Sequence, residues 1–194
     1  MREMEVRAAI GARVSRLPGP PLLVPEMALC QAEARIDLAM IYPERLVGWE
    51  IKTGADRLSR LDNQQEVYSR VFDRIWLAAD VKHLDQALAV VPDWWGIMRA
   101  ESRGDVCRLV QVRPSRVNRG IDLRSLVCLL WREETLTELR ALDLADGLER
   151  APRRELWDQL AAAAPRRVSP TELRRRVRLR LMVRSGWRAG VPRT

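Results

Sequence analysis

Residues 34–53 read ARIDLAMIYPERLVGWEIKT, and the fold follows from how that stretch alternates. In a strand, successive side chains point to opposite faces. Over Ala34 to Tyr42 this puts Ile36, Leu38 and Met40 on one face and Asp37, Ala39 and Ile41 on the other. Tyr42-Pro43-Glu44-Arg45 carries turn chemistry. Leu46 to Thr53 then sets Val47, Trp49 and Ile51 against Gly48, Glu50 and Lys52. A hairpin closed by that turn allows Asp37 to face the same side as Glu50 and Lys52. Glu-x-Lys alone is compatible with a solvated edge strand. Here the flanks on both strands are strongly apolar, and a charge in such a setting needs a partner or a metal.

The elements on either side extend the pattern. Residues 3–16 predict a helix ended by Pro18-Gly19-Pro20-Pro21, and Leu22 to Leu29 a strand. Leu58 to Phe72 predicts a helix with Leu61, Gln64, Tyr68 and Val71 along one stripe. A short strand follows at Arg74 to Ala79, then a helix over 83–90. Two more strands, Trp94 to Arg99 and Cys107 to Val112, are joined by a turn at Ser102-Arg103-Gly104-Asp105. Beyond residue 120 the periodicity is helical: Leu123 to Leu142, Arg153 to Ala163, and a helix over 169–184 opened by Ser169-Pro170-Thr171-Glu172. The chain therefore divides into an α/β core over 1–120, ordered α-β-β-β-α-β with an added helix and hairpin, and an arginine-rich helical region over 121–194.

Composition narrows the chemistry. The 194 residues are 47% apolar, enough for one full domain. No apolar run approaches the roughly 20 residues of a membrane span, and the N-terminus lacks a signal-peptide pattern, which predicts a cytoplasmic protein. Cys30, Cys107 and Cys128 are odd in number and widely spaced, as reduced, buried thiols would be. His83 is the only histidine, which excludes zinc sites built on two or more within one chain. Walker A, GxGxxG and CxxC motifs are absent. Hydrolysis by this chain would rest on carboxylates and a metal.

The basic residues are 32 arginines and only two lysines, Lys52 and Lys82. An ammonium is a compact donor with a movable pKa, whereas a guanidinium is broad and always charged. Lys52 beside Glu50 thus fits a chemical role. Asp37 and Glu50, with the Ile51 carbonyl, form a hard oxygen donor set suited to Mg²⁺ or Mn²⁺. Lys52 would orient a nucleophile or stabilise a charged transition state. Residues 150–194 carry a net charge of +10 against −2 for 1–149. That asymmetry fits a polyanion partner, or a solvated arginine-rich surface. In helix 169–184, Leu173, Val177 and Leu181 make a narrow apolar stripe among Arg174, Arg175, Arg176, Arg178, Arg180 and Arg184. Arg174, Arg175 and Arg178 are the candidates for phosphate contact, pointing outward.

Asp37 in ARIDLAMI and Glu50-Ile51-Lys52 in LVGWEIKTG resemble the PD-(D/E)XK nuclease superfamily, whose core has the same element order. Gln64 and Tyr68, one helical turn apart on the following helix, resemble the Q-x-x-x-Y helix of its RecB-like branch. The run Glu50, Lys52, Asp56, Arg60, Leu61, Gln64, Tyr68 is also similar to that of a group of small bacterial proteins in the superfamily. The resemblance implies a restriction-endonuclease-like core with a mixed sheet and a Mg²⁺- or Mn²⁺-dependent deoxyribonuclease. Asp37, Glu50, Lys52, Gln64 and Tyr68 would form its catalytic face, in a role such as repair, restriction or phage defence, alone, as a homodimer or in a larger complex. The superfamily often adds a further acid from the first helix or first strand. Glu5, Glu26 and Glu33 are open, with Glu26 preferred as a metal ligand beside Asp37 and Glu50. The alternative function is a nucleic-acid-binding module that keeps the nuclease fold without catalysis. His83, Trp94 and Trp95 are expected to be scaffold. Asp56 and Arg60 either flank the site entrance or pair with each other.

Overall fold

The hairpin is present: residues 34–41 and 46–52 pair antiparallel, from Ile41↔Leu46 to Leu38↔Trp49. The computed structural model describes residues 2–185 apart from Arg57 and Asp105. Asp105 of the expected turn and residues 186–194 of the C-terminal region lie outside that set. In chain order the elements are α1 (Glu3–Val14), β1 (Leu22–Leu29), β2 (Ala34–Ile41), β3 (Leu46–Lys52), α2 (Leu61–Val71), β4 (Arg74–Asp80) and α3 (Leu84–Val90). They continue with β5 (Gly96–Arg103), β6 (Val106–Arg113), α4 (Leu123–Val127), α5 (Arg132–Arg140), α6 (Arg153–Ala162) and α7 (Pro170–Val183).

The protein is α/β, with one six-stranded mixed sheet in the order β1-β2-β3-β4-β5-β6. β1, β2 and β3 form an antiparallel meander, β3-β4 and β4-β5 pair in parallel, and β6 returns antiparallel to β5. The parallel pairs require crossovers, and α2 and α3 supply them. Pro25 lacks an N–H and sits on β1, an edge strand, where proline is tolerated. β1 and β2 are joined through Cys30, Gln31 and Ala32, all left-handed at φ 47, 63 and 71°.

The sheet has two unequal covers. Among the described residues, α1 alone packs on one face, through Val6, Ile10 and Val14 against Leu38, Met40, Trp49 and Ile51. Each such buried aliphatic contributes about 1.5–3 kcal/mol. On this face Trp49 and Trp76 stack at 5.5 Å. A Cβ on Gly96 would come within 2.3 Å of the Trp76 ring, so the strand approaches that closely only with glycine there. The other face carries Ile36, Ala39, Ile41, Leu77 and Ile97 under α2 and the C-terminal helices. Ile36, expected beside Leu38 and Met40, lies instead with Ala39 and Ile41, because the alternation of β2 breaks at Asp37, which the β1–β2 ladder skips.

The expected split at residue 120 is not a split in packing. Leu126, Leu156, Leu173 and Leu181 share one apolar cluster with Val24, Ile36 and Tyr68. Within that region the single helix expected over 123–142 is broken into α4 and α5. The chain restarts at Trp131, whose N–H is capped by Glu134 Oε2 at 2.7 Å. Neither glycine nor proline marks the break, and the run LVCLLW is apolar on every side, so periodicity could not reveal it. β5 starts at Gly96 because Trp94 and Trp95 lie in a turn, with Trp95 N–H on the Pro92 carbonyl at 3.0 Å. α7 begins as its sequence predicts, with Ser169 Oγ accepting from Glu172 N at 3.1 Å.

The arginines of α7 mostly turn inward, which corrects the expectation for Arg174 and Arg178. Arg178 is buried, donates to the Pro43 carbonyl at 2.9 Å and lies 3.6 Å from Asp73. Arg174 also binds Asp73. Arg176 and Arg180 converge on buried Glu138, and Arg184 binds Glu134. Three acids far upstream hold the helix down, so these guanidinium groups are committed to the protein. Arg175 alone of the three candidates stays exposed, 3.5 Å from Glu172. Among the described residues, no helix is long and apolar enough to cross a membrane.

Candidate active site

β3 delivers Glu50 and Lys52 to the face beneath α2, two residues apart and therefore side by side. Both are buried. Lys52 Nζ donates to Glu50 Oε1 at 2.7 Å and to Gln64 Oε1 at 3.1 Å. Tyr68 Oη donates to Glu50 Oε2 at 2.8 Å, with the Arg35 carbonyl also at 2.6 Å. One hydroxyl hydrogen thus lies between two acceptors, one on β2 and one on β3. The Tyr68 ring is held by Trp95, stacked at 6.1 Å, and by Phe72 edge-on at 6.3 Å. Gln64 and Tyr68 reach Glu50 and Lys52 together because they are one turn apart on α2.

Asp37 sits one residue past the last β2–β3 pair. Its Oδ2 accepts the Ile51 N–H at 2.6 Å, continuing the ladder through a side chain. Burial pushes the Asp37 carboxyl up to about 8, and the charge of Glu50 adds to the shift while the Ile51 N–H opposes it. Burial also raises Glu50, against the opposing pull of Lys52, Tyr68 and Gln64. It raises the Tyr68 hydroxyl too, with the Glu50 charge in the same direction, so Tyr68 stays a proton donor.

Glu26 is the added acid that reaches Asp37. It drops out of the β1–β2 ladder, and its φ of 52° is left-handed. A non-glycine residue there costs about 1–3 kcal/mol, a strain typical of functional positions. The deviation aims the carboxylate across at Asp37. The other two candidates are spent elsewhere. Glu5 caps the start of α1 through Arg2 N at 2.8 Å, and Glu33 pairs with Arg70 at 2.6 Å.

Glu3 joins the site instead. Among the described residues, Glu3, Glu26 and Asp37 form a group whose oxygens lie within 4.8 Å of one another. Sequence reasoning missed Glu3, an exposed first-turn acid with Arg7 four residues on. That i,i+4 spacing is its only local signal. The donors are all carboxylate oxygens, a set that fits Mg²⁺ or Mn²⁺. Glu50 stands apart from this group, both its oxygens already engaged by Lys52 and Tyr68. The acids therefore run in depth from exposed Glu3, through half-buried Glu26 and Asp37, to buried Glu50.

The neighbouring residues fix the end of β3. Asp56 turns back to accept from Thr53 N and Oγ1, both at 2.7 Å. His83 Nε2 lies 3.1 Å from the Thr53 carbonyl and is buried, a scaffold position. Arg60 is exposed. The cysteines are half-buried, and burial pushes each thiol up.

The chain belongs to the family described as Bacteriophage P4 protein cII, whose profile matches residues 2–182. No curated protein matches it in sequence. Among solved structures it is similar to a protein of unknown function from Silicibacter pomeroyi, at 18% identity and a TM-score of 0.44, covering 73% of this chain and 88% of that one.

Proposed function

We propose that this member of the P4 cII family is a metal-dependent nuclease that hydrolyses phosphodiester bonds of DNA, built on a restriction-endonuclease-like core of the PD-(D/E)XK type. The observation that carries the reading is the buried Glu50–Lys52 pair, held by Gln64 and Tyr68 and facing Asp37. A structural ion pair would not need a second carboxylate beside it, whose ionisation is opposed first by burial and then by the charge of Glu50. Two acids that resist ionising together are stable charged only beside a cation.

Asp37 and Glu26, with Glu3, would hold a Mg²⁺ or Mn²⁺ ion, and Glu50 lies behind them. Such an ion polarises a phosphoryl oxygen and lowers the pKa of a bound water. The chain's own contributions are positional. Tyr68 and Lys52 fix both oxygens of Glu50, and Gln64 fixes Lys52. An ammonium has three N–H donors; Glu50 and Gln64 take two, and the third is available to a non-bridging phosphate oxygen or an attacking water. The strained backbone at Glu26 keeps its carboxylate turned toward Asp37.

The test is incubation of purified protein with linear, circular and single-stranded DNA in Mg²⁺, Mn²⁺ or EDTA. The expected result is cleavage with either ion, none in EDTA, and none from Asp37→Asn or Glu50→Gln. Lys52→Met is expected to lose cleavage yet keep its metal affinity. Cleavage that persists in EDTA, or in all three variants, refutes the reading.

A further inference from the structure

We propose that Arg7 is a built-in counter-cation of the carboxylate group, which a divalent ion must displace in order to bind. The inference rests on the metal-centre reading above. Arg7 lies one turn beyond Glu3 on α1, and its guanidinium donates to both Glu3 and Glu26. These are two of the three carboxylates whose oxygens gather within 4.8 Å. The third, Asp37, receives the Ile51 backbone N–H.

The chemistry follows from what each cation offers. A guanidinium remains protonated and presents a planar fork of N–H donors. It can balance two carboxylates from the side but cannot be coordinated by three converging oxygens. A small divalent ion can. An ion seated among these carboxylates would set its charge against the guanidinium at ion-pair distance, so ion binding and the Arg7 contacts compete. Among the described residues, Arg7 Nε is enclosed without a hydrogen-bond partner, so the guanidinium is held mainly through the end the ion would remove. Arg35, 3.9 Å from Glu26, approaches from an exposed position and can retain Glu26 as Arg7 leaves. The device keeps α1 seated over the site in the absence of metal. It also raises the ion concentration at which the site fills.

The experiment is Mn²⁺ titration of the full chain by calorimetry or electron paramagnetic resonance, with wild type, Arg7→Met and Arg7→Lys. Thermal melts in EDTA and in Mn²⁺ run alongside. Removing one charge at ion-pair distance is expected to tighten Mn²⁺ binding by about tenfold or more after solvent screening. Arg7→Lys should bind close to wild type. Arg7→Met should melt lower than wild type in EDTA and recover in Mn²⁺, which shows that the variant folds. If wild type binds Mn²⁺ and folded Arg7→Met binds equally or more weakly, the counter-cation is wrong while the metal centre stands. If neither binds Mn²⁺, the metal centre itself is wrong and Arg7 has nothing to compete with.

Discussion

Two buried glutamates divide the protein. Glu50 on β3 and Glu138 on α5 are almost equally enclosed, at 1% and 4% exposure. Glu138 is met by two guanidinium groups, Arg176 at 3.2 Å and Arg180 at 2.6 Å. Glu50 is met by one lysine and one tyrosine, and Asp37 then adds negative charge from the next strand. One cluster matches acid to base. The other gathers acids, from Glu3 through Glu26 and Asp37 to Glu50, with Arg7 and Lys52 at its two ends. On the proposal above, a divalent cation completes the second arrangement.

Exchanging the chemistry of the two clusters should give opposite phenotypes. Lys52→Met is expected to lower DNA cleavage by about 10²–10³-fold, the loss typical of a single donor to a transition state. Glu138→Gln is expected to leave cleavage unchanged per folded molecule. Initial rates normalised to folded protein by circular dichroism separate the two. A Glu138→Gln variant that folds normally but fails to cleave would erase the distinction.

The second expected effect is on stability and runs the other way. Glu138→Ala leaves Arg176 and Arg180 without their shared acceptor on the packed face of α7. Breaking a fully buried pair costs about 3–5 kcal/mol. These arginines retain roughly 30% exposure, so solvent recovers part of that and about 1–3 kcal/mol is expected. At about 2–4 °C per kcal/mol for a chain of this size, the melting temperature should fall measurably. A melt unchanged from wild type would mean that α7 is held by its leucines alone.

A third test uses pH. The Asp37 carboxyl titrates near 8 in the folded protein and near 4 when unfolded. Between those values the folded state keeps a proton that the unfolded state has lost. Stability therefore falls as pH rises from about 4 to about 8 and then levels. Glu50 is raised as well and slopes the same way. Asp37→Asn keeps an acceptor for the Ile51 N–H and removes the charge. In EDTA at pH 8.5 it should be more stable than wild type by about 1–2 kcal/mol, discounted for the screening of a partly exposed group. The gap should close toward pH 4. Mn²⁺ should raise the melting point of wild type and leave Asp37→Asn nearly unmoved. A gap independent of pH would show that Asp37 is no more costly to ionise than a surface acid.

These contrasts explain which parts were legible in the chain. Glu50 and Lys52 follow from period-two alternation in β3, and Gln64 and Tyr68 from a single helical turn; Asp37 follows from the short hairpin, although the alternation of β2 breaks beside it. All five depend on local spacing. Glu3 was not legible, because its role depends on α1 docking back over the sheet beside a residue 23 positions later. Glu26 could be preferred but not placed, since its left-handed backbone is a tertiary strain with no residue-type signature beyond Pro25. The arginines of α7 misled for the same reason. A sequence shows a run of positive charge, but not that Asp73, Glu134 and Glu138 wait for it in the folded body.

The smallest effect concerns what remains of the phosphate-contact idea. With Arg174 and Arg178 bound to Asp73, Arg175 is the one candidate of the three still exposed. One phosphate contact changes the slope of log affinity against log salt by about 0.7–0.9. Arg175→Ala should therefore flatten the salt dependence of DNA binding by less than one unit, with no change in melting temperature. Arg178→Ala should do the reverse, because Arg178 ties α7 to Pro43 and Asp73 and faces no solvent. It should lower the melting temperature and leave the salt slope of the folded fraction unchanged. If Arg175→Ala leaves the slope untouched, α7 is wholly structural and the phosphates meet another surface. If folded Arg178→Ala flattens the slope, α7 must lift from the body when DNA binds, and the division between a structural and a functional cluster fails at this helix.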